Sequence, residues 1–230
     1  MYQINEFEQR QLLDESLADK VAEILTAAVE TKGKASIAVS GGSTPKGFFQ
    51  ALSMKKIAWH AITITLADER WVDIKSSDSN TKLVHENLIQ NEAVNAKFFY
   101  LKQGENLCHE TLADLNIAAK QQLLPLDVLI LGMGEDGHTA SLFPCSDEIT
   151  QCLAQDSDAL LKVTPKTAPH QRISFSFAAL AQSKNIFLHI SGASKKQVLA
   201  TAIAGQECQE MPIRAFLQAP DVNTHIYWAL

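Results

Sequence analysis

No run of apolar residues in this chain reaches the length of a bilayer-spanning helix, so it is not expected to enter a membrane. Cysteine is sparse and unpatterned. Cys108, Cys145, Cys152 and Cys208 include no C-x-x-C pair, and the seven-residue spacing of Cys145 and Cys152 makes a poor zinc pair. They read as free thiols in a reducing compartment. Basic residues are in deficit: 20 Lys and Arg against 26 Asp and Glu leave a formal charge of −6, which argues against a nucleic-acid binder. Any anionic ligand must then be met by a local cluster of cations working against the global sign. Several catalytic signatures are missing too. There is no G-x-S-x-G elbow, no H-E-x-x-H, and no Gly-Lys-Ser/Thr to complete a P-loop. The first residues show no basic segment leading into an apolar one, and the expected location is cytoplasmic. No repeat, low-complexity tract or linker divides the chain, and residues 1–230 are expected to form one domain.

What is present is a steady alternation of strand-like and helix-like segments. Apolar residues at helical spacing (Leu12, Leu13, Leu17, Val21, Ile24, Leu25, Ala28) predict an amphipathic helix over 6–31, ended by Gly33. Buried strands are predicted at 35–39 and 127–131, further strands at 62–67, 160–163, 173–177, 185–190 and 225–228, and a short candidate at 98–100. Between them the pattern predicts helices from Pro45 to about Met54 and over 80–89, 105–123, 195–204 and 212–217. This order predicts an α/β fold: a doubly wound, mostly parallel sheet flanked by helices. Trp59, Trp71 and Trp228 read as packing residues.

Four polar turns follow strands at their carboxyl ends, the edge where open parallel sheets bind ligands. Ser40-Gly41-Gly42-Ser43-Thr44-Pro45 opens a helix. Gly41 and Gly42 allow close backbone approach, free N–H groups await at the helix start, and Ser43 and Thr44 add hydroxyls, which together suit a phosphate. Thr44 is expected to cap that helix with Pro45 at its first position. Asp68-Glu69-Arg70-Trp71 presents Arg70 to an oxyanion or a phosphate.

Gly132-Met133-Gly134-Glu135-Asp136-Gly137-His138 formally contains G-x-G-x-x-G. It falls past the middle of the chain and puts Asp136 where pyrophosphate would lie, so nicotinamide binding is disfavoured. His138 instead suits a general base, its ring oriented by Asp136 or Glu135, at a junction leading into a helix-like Thr139-Ala140-Ser141-Leu142. Ser191-Gly192-Ala193-Ser194 leads to Lys195, a candidate anion ligand that spacing cannot separate from Lys196. Arg172, beside His170, is another. His85-Glu86 and His109-Glu110 are isolated pairs, and no metal site is expected.

Taken together, and most specifically through Leu131–Pro144, these blocks resemble the family of 6-phosphogluconolactonases and glucosamine-6-phosphate isomerases across nearly the whole chain. Ser79-Asn80 and Arg172-Ile173-Ser174 extend the match. In the deaminase branch the third block ends Gly-His-Ile-Ala-Phe-Asn-Glu-Pro; here Thr139 to Pro144 replaces the Asn-Glu pair, and Arg70 also departs from that branch. Both differences favour the lactonase side.

The resemblance implies cofactor-free and metal-free hydrolysis of 6-phospho-D-glucono-1,5-lactone to 6-phosphogluconate. It implies His138, Asp136 and Arg70 as the catalytic set. Gly41, Gly42, Ser43, Thr44, Asp68, Arg172 and Lys195 are implied as substrate or phosphate ligands, with Arg70 serving either the oxyanion or the phosphate. The only expected partner is a small sugar-phosphate lactone, with no nucleic acid or membrane, and the protein is expected to be a monomer or weak oligomer. Two rival functions remain: an amino-sugar-phosphate isomerase-deaminase, and a non-catalytic sugar-phosphate sensor. The second lacks room for an effector module.

Overall fold

The computed structural model describes all 230 residues. The apolar runs become the central strands because both faces of a parallel sheet are covered by helices and leave no polar face. All five residues of β2 (Ala35–Val39) and all four of β6 (Val128–Leu131) are buried. They join β1 (Tyr2–Phe7), β3 (Ile62–Leu66), β5 (Lys97–Phe98), β9 (Ile186–Ser191) and β10 (Thr224–Ala229) in a seven-stranded sheet, order β1-β10-β9-β6-β2-β3-β5. Every pairing in it is parallel. A second, antiparallel sheet, order β4-β8-β7, contains β4 (Asp68–Arg70), β7 (Leu160–Val163) and β8 (Arg172–Phe175).

The helices are α1 (Arg10–Lys32), α2 (Lys46–Ser53), α3 (Asn80–Asn87), α4 (His109–Gln122), α5 (Ile149–Leu153), α6 (Phe177–Ala181), α7 (Ala193–Ala204) and α8 (Ile213–Gln218). A contiguous cluster of 61 buried apolar residues runs through the fold. No helix is long and apolar enough to cross a membrane.

The doubly wound prediction holds, with several corrections. β1 was not anticipated. Its Tyr-Gln-Ile-Asn-Glu-Phe alternation has the period of a strand, but it is an exposed edge strand whose one strand neighbour is β10, paired with it in register. The first helix therefore starts at Arg10 rather than residue 6, and Leu12 lies outside its buried stripe, 48% exposed. The helix predicted from 105 begins at His109. Thr44 does not cap α2: the capping position is Pro45 and no side chain bonds there. Thr139–Leu142 is not helical but a tight turn closed by a Thr139–Leu142 bridge, with Ala140 at φ 47°.

Sheet order determines where the site lies. From β2 the chain winds outward one way through β3 and β5. From β6 it winds the other way through β9 to β10. The order thus reverses between neighbours β2 and β6, opening a crevice at their carboxyl ends, which is where doubly wound sheets bind ligands. The opposite end is fastened by Asp127, whose buried carboxylate is reached by Lys32 at 2.6 Å, Lys184 at 3.2 Å and the Ser36 N–H at 2.9 Å. Burial alone would raise its pKa, but these three partners outweigh it and hold the carboxyl below its ordinary value. A depressed carboxyl contributes stability above its unfolded pKa and loses it as pH falls through the folded one. Asp127→Asn is therefore expected to lower Tm at neutral pH and to flatten the acid limb of the Tm–pH curve below about pH 4. A limb parallel to wild type would count against this staple.

Candidate active site

β2 and β6 deliver adjacent turns. The Ser40 hydroxyl ties them, donating to the Ile130 carbonyl at 3.0 Å and accepting from the Gly132 N–H at 3.3 Å. Gly41 is required sterically, since a Cβ there would lie 1.9 Å from Asn80 Oδ1. Gly42 has φ 94°, which other residues adopt only with strain. None of the N–H groups of Gly41, Gly42, Ser43 or Thr44 donates to another protein group. A cluster of amides facing one cavity at a helix start is a cradle for an anion.

After β6 the chain folds back sharply. The Gly134 N–H donates to the His138 carbonyl at 2.8 Å, and Gly137 takes φ 75°. A Cβ on Gly134 would sit 2.1 Å from His138 Nδ1, so this glycine makes room for the imidazole. Asp136 Oδ1 lies 2.5 Å from His138 Nδ1 and also accepts the His138 backbone N–H at 3.1 Å. Burial raises the Asp136 carboxyl, but the contacts with His138 outweigh it and the net shift is downward. An anionic Asp136 places the imidazole proton on Nδ1 and leaves the Nε2 lone pair free. The ring is braced by Phe143, stacked at 4.2 Å between centroids.

Sequence left open which acid serves His138, and the structure brings Asp136 to it. Glu135 turns away, accepting from Lys195 Nζ at 2.8 Å and Ser194 Oγ at 2.7 Å. The choice between the two lysines resolves as well. Lys195 borders the cavity, whereas Lys196 reaches Glu6 at 3.0 Å and lies over the Trp228 ring.

The second sheet contributes the guanidiniums. Arg70 and Arg172 are directly opposed partners of β4 and β8. Arg70 donates through Nη1 to the Asp78 carbonyl at 2.7 Å, and Arg172 donates through Nη2 to the Pro169 carbonyl at 3.2 Å. Each Nε is buried without a protein acceptor. Burial lowers the Arg172 pKa, and Asp68, 3.8 Å from Nη1, opposes that shift. The Asp68 carboxylate also accepts from the Ser141 hydroxyl and so braces Arg172 within the cavity wall.

Gly41, Gly42, Ser43, Thr44, Asp68, Arg70, His138, Arg172 and Lys195 all border one cavity of about 290 Å³, and Asp136 reaches it through His138. Sequence reasoning missed several contributors. Glu69 is fully buried and accepts four hydrogen bonds: from the backbone N–H groups of Arg70, Asn80 and Thr81 and from the Ser79 hydroxyl. The sequence signal for it is Ser79-Asn80, ten residues on. His189, also on the cavity wall, lies 3.1 Å from buried Asp14 and carried no sequence signal. No three His, Cys, Asp or Glu side chains converge into a metal-ligating group.

Comparison with known proteins establishes the family. Residues 8–228 match the family model described as glucosamine-6-phosphate isomerases/6-phosphogluconolactonase. The chain is 41% identical over 224 residues to a 6-phosphogluconolactonase of Rhizobium meliloti, covering 97% of each chain. It is 44% identical over 216 residues to one from Pseudomonas aeruginosa, covering 92% of this chain and 89% of the relative. The crystal structure of a 6-phosphogluconolactonase from Shewanella baltica superposes with a TM-score of 0.96 at 41% identity, covering 100% of this chain and 98% of that one. A monomeric glucosamine-6-phosphate deaminase shares the fold, with a TM-score of 0.80 at 18% identity over 97% of this chain and 96% of its own. The chain is a member of the glucosamine-6-phosphate isomerase/6-phosphogluconolactonase family.

Proposed function

We propose that this protein, acting as one catalytic domain over residues 1–230, hydrolyses 6-phospho-D-glucono-1,5-lactone to 6-phospho-D-gluconate. The observation that carries the reading is the Asp136–His138 pair opening into the same cavity as the Gly41–Thr44 cradle, the buried Arg172 and the half-buried Arg70. The substrate has matching ends, a phosphate and an ester carbonyl. The cradle amides, Lys195 and Arg172 receive the phosphate, with Asp68 holding Arg172 in place. To bind, the phosphate takes over Lys195 from Glu135.

His138 Nε2 removes a proton from a water as the water oxygen bonds to the lactone carbonyl carbon. Asp136 stabilises the imidazolium that results. Arg70 neutralises the tetrahedral oxyanion. Collapse breaks the bond from carbon to ring oxygen, and His138 returns the proton to that oxygen as it leaves. No cofactor takes part in these steps. A charged phosphate ester does not diffuse through membranes, which suits a cytoplasmic enzyme, and a cavity lined within one chain lets it work as a monomer or weak oligomer.

Freshly generated phospholactone tests the reading. The expected result is acid release well above spontaneous ring opening, with no ammonia released from glucosamine 6-phosphate. Ammonia release without lactone turnover would move the chain to the deaminase branch. Tight 6-phosphogluconate binding with neither activity would make it a sensor.

A further inference from the structure

Arg10 is the first residue of α1, where the helix macrodipole already presents partial positive charge and a cation is unfavourable. No acidic residue in that first turn offsets it. What the arginine gains lies outside its own helix. Its Nη2 donates to the Ser43 carbonyl at 3.2 Å and to the Thr44 carbonyl at 2.6 Å. Arg10 itself does not border the cavity, whereas Ser43 and Thr44 do. It therefore grips the turn from behind.

The consequence follows from peptide geometry. The Ser43–Thr44 bond is trans, so its N–H and C=O point in opposite directions. Holding the Ser43 carbonyl outward on Arg10 turns the Thr44 N–H toward the cavity. The Thr44 carbonyl is drawn outward as well, and the next residue, Pro45, has no N–H to contribute. Two carbonyl oxygens that would repel an anion are thus kept out of the cradle. Gly42, at φ 94°, leaves the turn without side-chain support of its own, and no other side chain bonds these two carbonyls.

We propose that Arg10 is a positioning residue that holds the Gly41–Thr44 turn in its anion-accepting form and so sets affinity for the phosphate end of the substrate. The inference rests on that turn being the phosphate cradle. Arg10 touches neither the reacting carbonyl nor the phosphate, so its removal affects binding rather than chemistry.

Arg10→Met keeps the aliphatic stem and removes the donors; Arg10→Lys keeps a cation. The measurements are the KM for the phospholactone, kcat, and competitive inhibition by inorganic phosphate, with Tm as a check on folding. Arg10→Met is expected to raise both KM and the phosphate Ki about tenfold, equivalent to about 1.4 kcal/mol. It should leave kcat within about twofold and Tm unchanged or slightly higher, because a helix start is relieved of a cation. Arg10→Lys is expected to recover at least half of the loss. A phosphate Ki within about twofold of wild type in Arg10→Met overturns the inference, as does a loss confined to kcat. Arg10→Lys as weak as Arg10→Met overturns it as well. If wild type turns over lactone but phosphate does not compete with it, the cradle assignment falls instead.

Discussion

Replacing His138 with Asn is expected to lower kcat on the phospholactone by about 10²–10⁴-fold, the usual worth of a positioned general base, with KM little changed. Asn can still donate to Asp136, which sits 2.5 Å from His138 Nδ1, so the turn should survive. It has no basic nitrogen to take the proton of water. In the proposed reading the phosphate is held by the β2 turn and Lys195 rather than by His138, so KM is expected to be spared. The measurement is the initial rate on lactone made immediately before use, with spontaneous opening subtracted. A variant as fast as wild type would remove His138 from the mechanism. Residual acceleration after its loss is expected from Arg70 and the bound geometry, as in other sites where the oxyanion donor survives removal of the base.

Glu69→Ala is expected to cause the largest loss of stability, about 3–5 kcal/mol, because several donors lose an ionised acceptor at about 1–3 kcal/mol each. In a chain of this length that corresponds to a fall in Tm of about 10 °C. The carboxylate accepts three backbone N–H groups and one hydroxyl, and Ala offers none of these donors an acceptor. Asn80 and Thr81 open α3, so the helix start loosens. The effect spreads to the site because Asn80 Nδ2 donates to the Asp68 carbonyl at 3.0 Å and packs on Gly41. Thermal melts and denaturant midpoints check this, and a Tm within about 2 °C of wild type would show that the donors find other partners.

The layered fold and the ligand-binding edge were legible in the chain because they rest on period and punctuation. Four-residue and five-residue apolar runs such as 35–39 and 128–131, each followed by glycine-rich turns, carry their own structural meaning. β1 was not legible, because an edge strand with one neighbour draws its stability from β10, more than 200 residues away in the chain. The helix expected after His138 failed for a related reason. Thr139–Leu142 has helical composition, but Thr139 Oγ1 bonds the Gly132 carbonyl at 2.8 Å and the Ser141 hydroxyl bonds Asp68. These contacts hold the segment in a turn that brings Phe143 beneath the imidazole. Tertiary bonds there override a weak local preference.

Sequence by itself determined which chemistry is available. It set a glycine turn at a helix start, a histidine two residues from a carboxylate, and scattered cations in an acidic chain. Those choices depend on residue identity and short spacing, which the chain order preserves. Only the tertiary structure decided the partnerships. It gave Asp136 to His138 and Glu135 to Lys195, set Arg70 opposite Arg172 across an antiparallel pair, and buried Glu69 under α3. The reason is distance along the chain. Residues 40, 70, 138, 172 and 195 meet only because the sheet order reverses between β2 and β6 while a second sheet closes over that edge, and no local pattern encodes such a meeting.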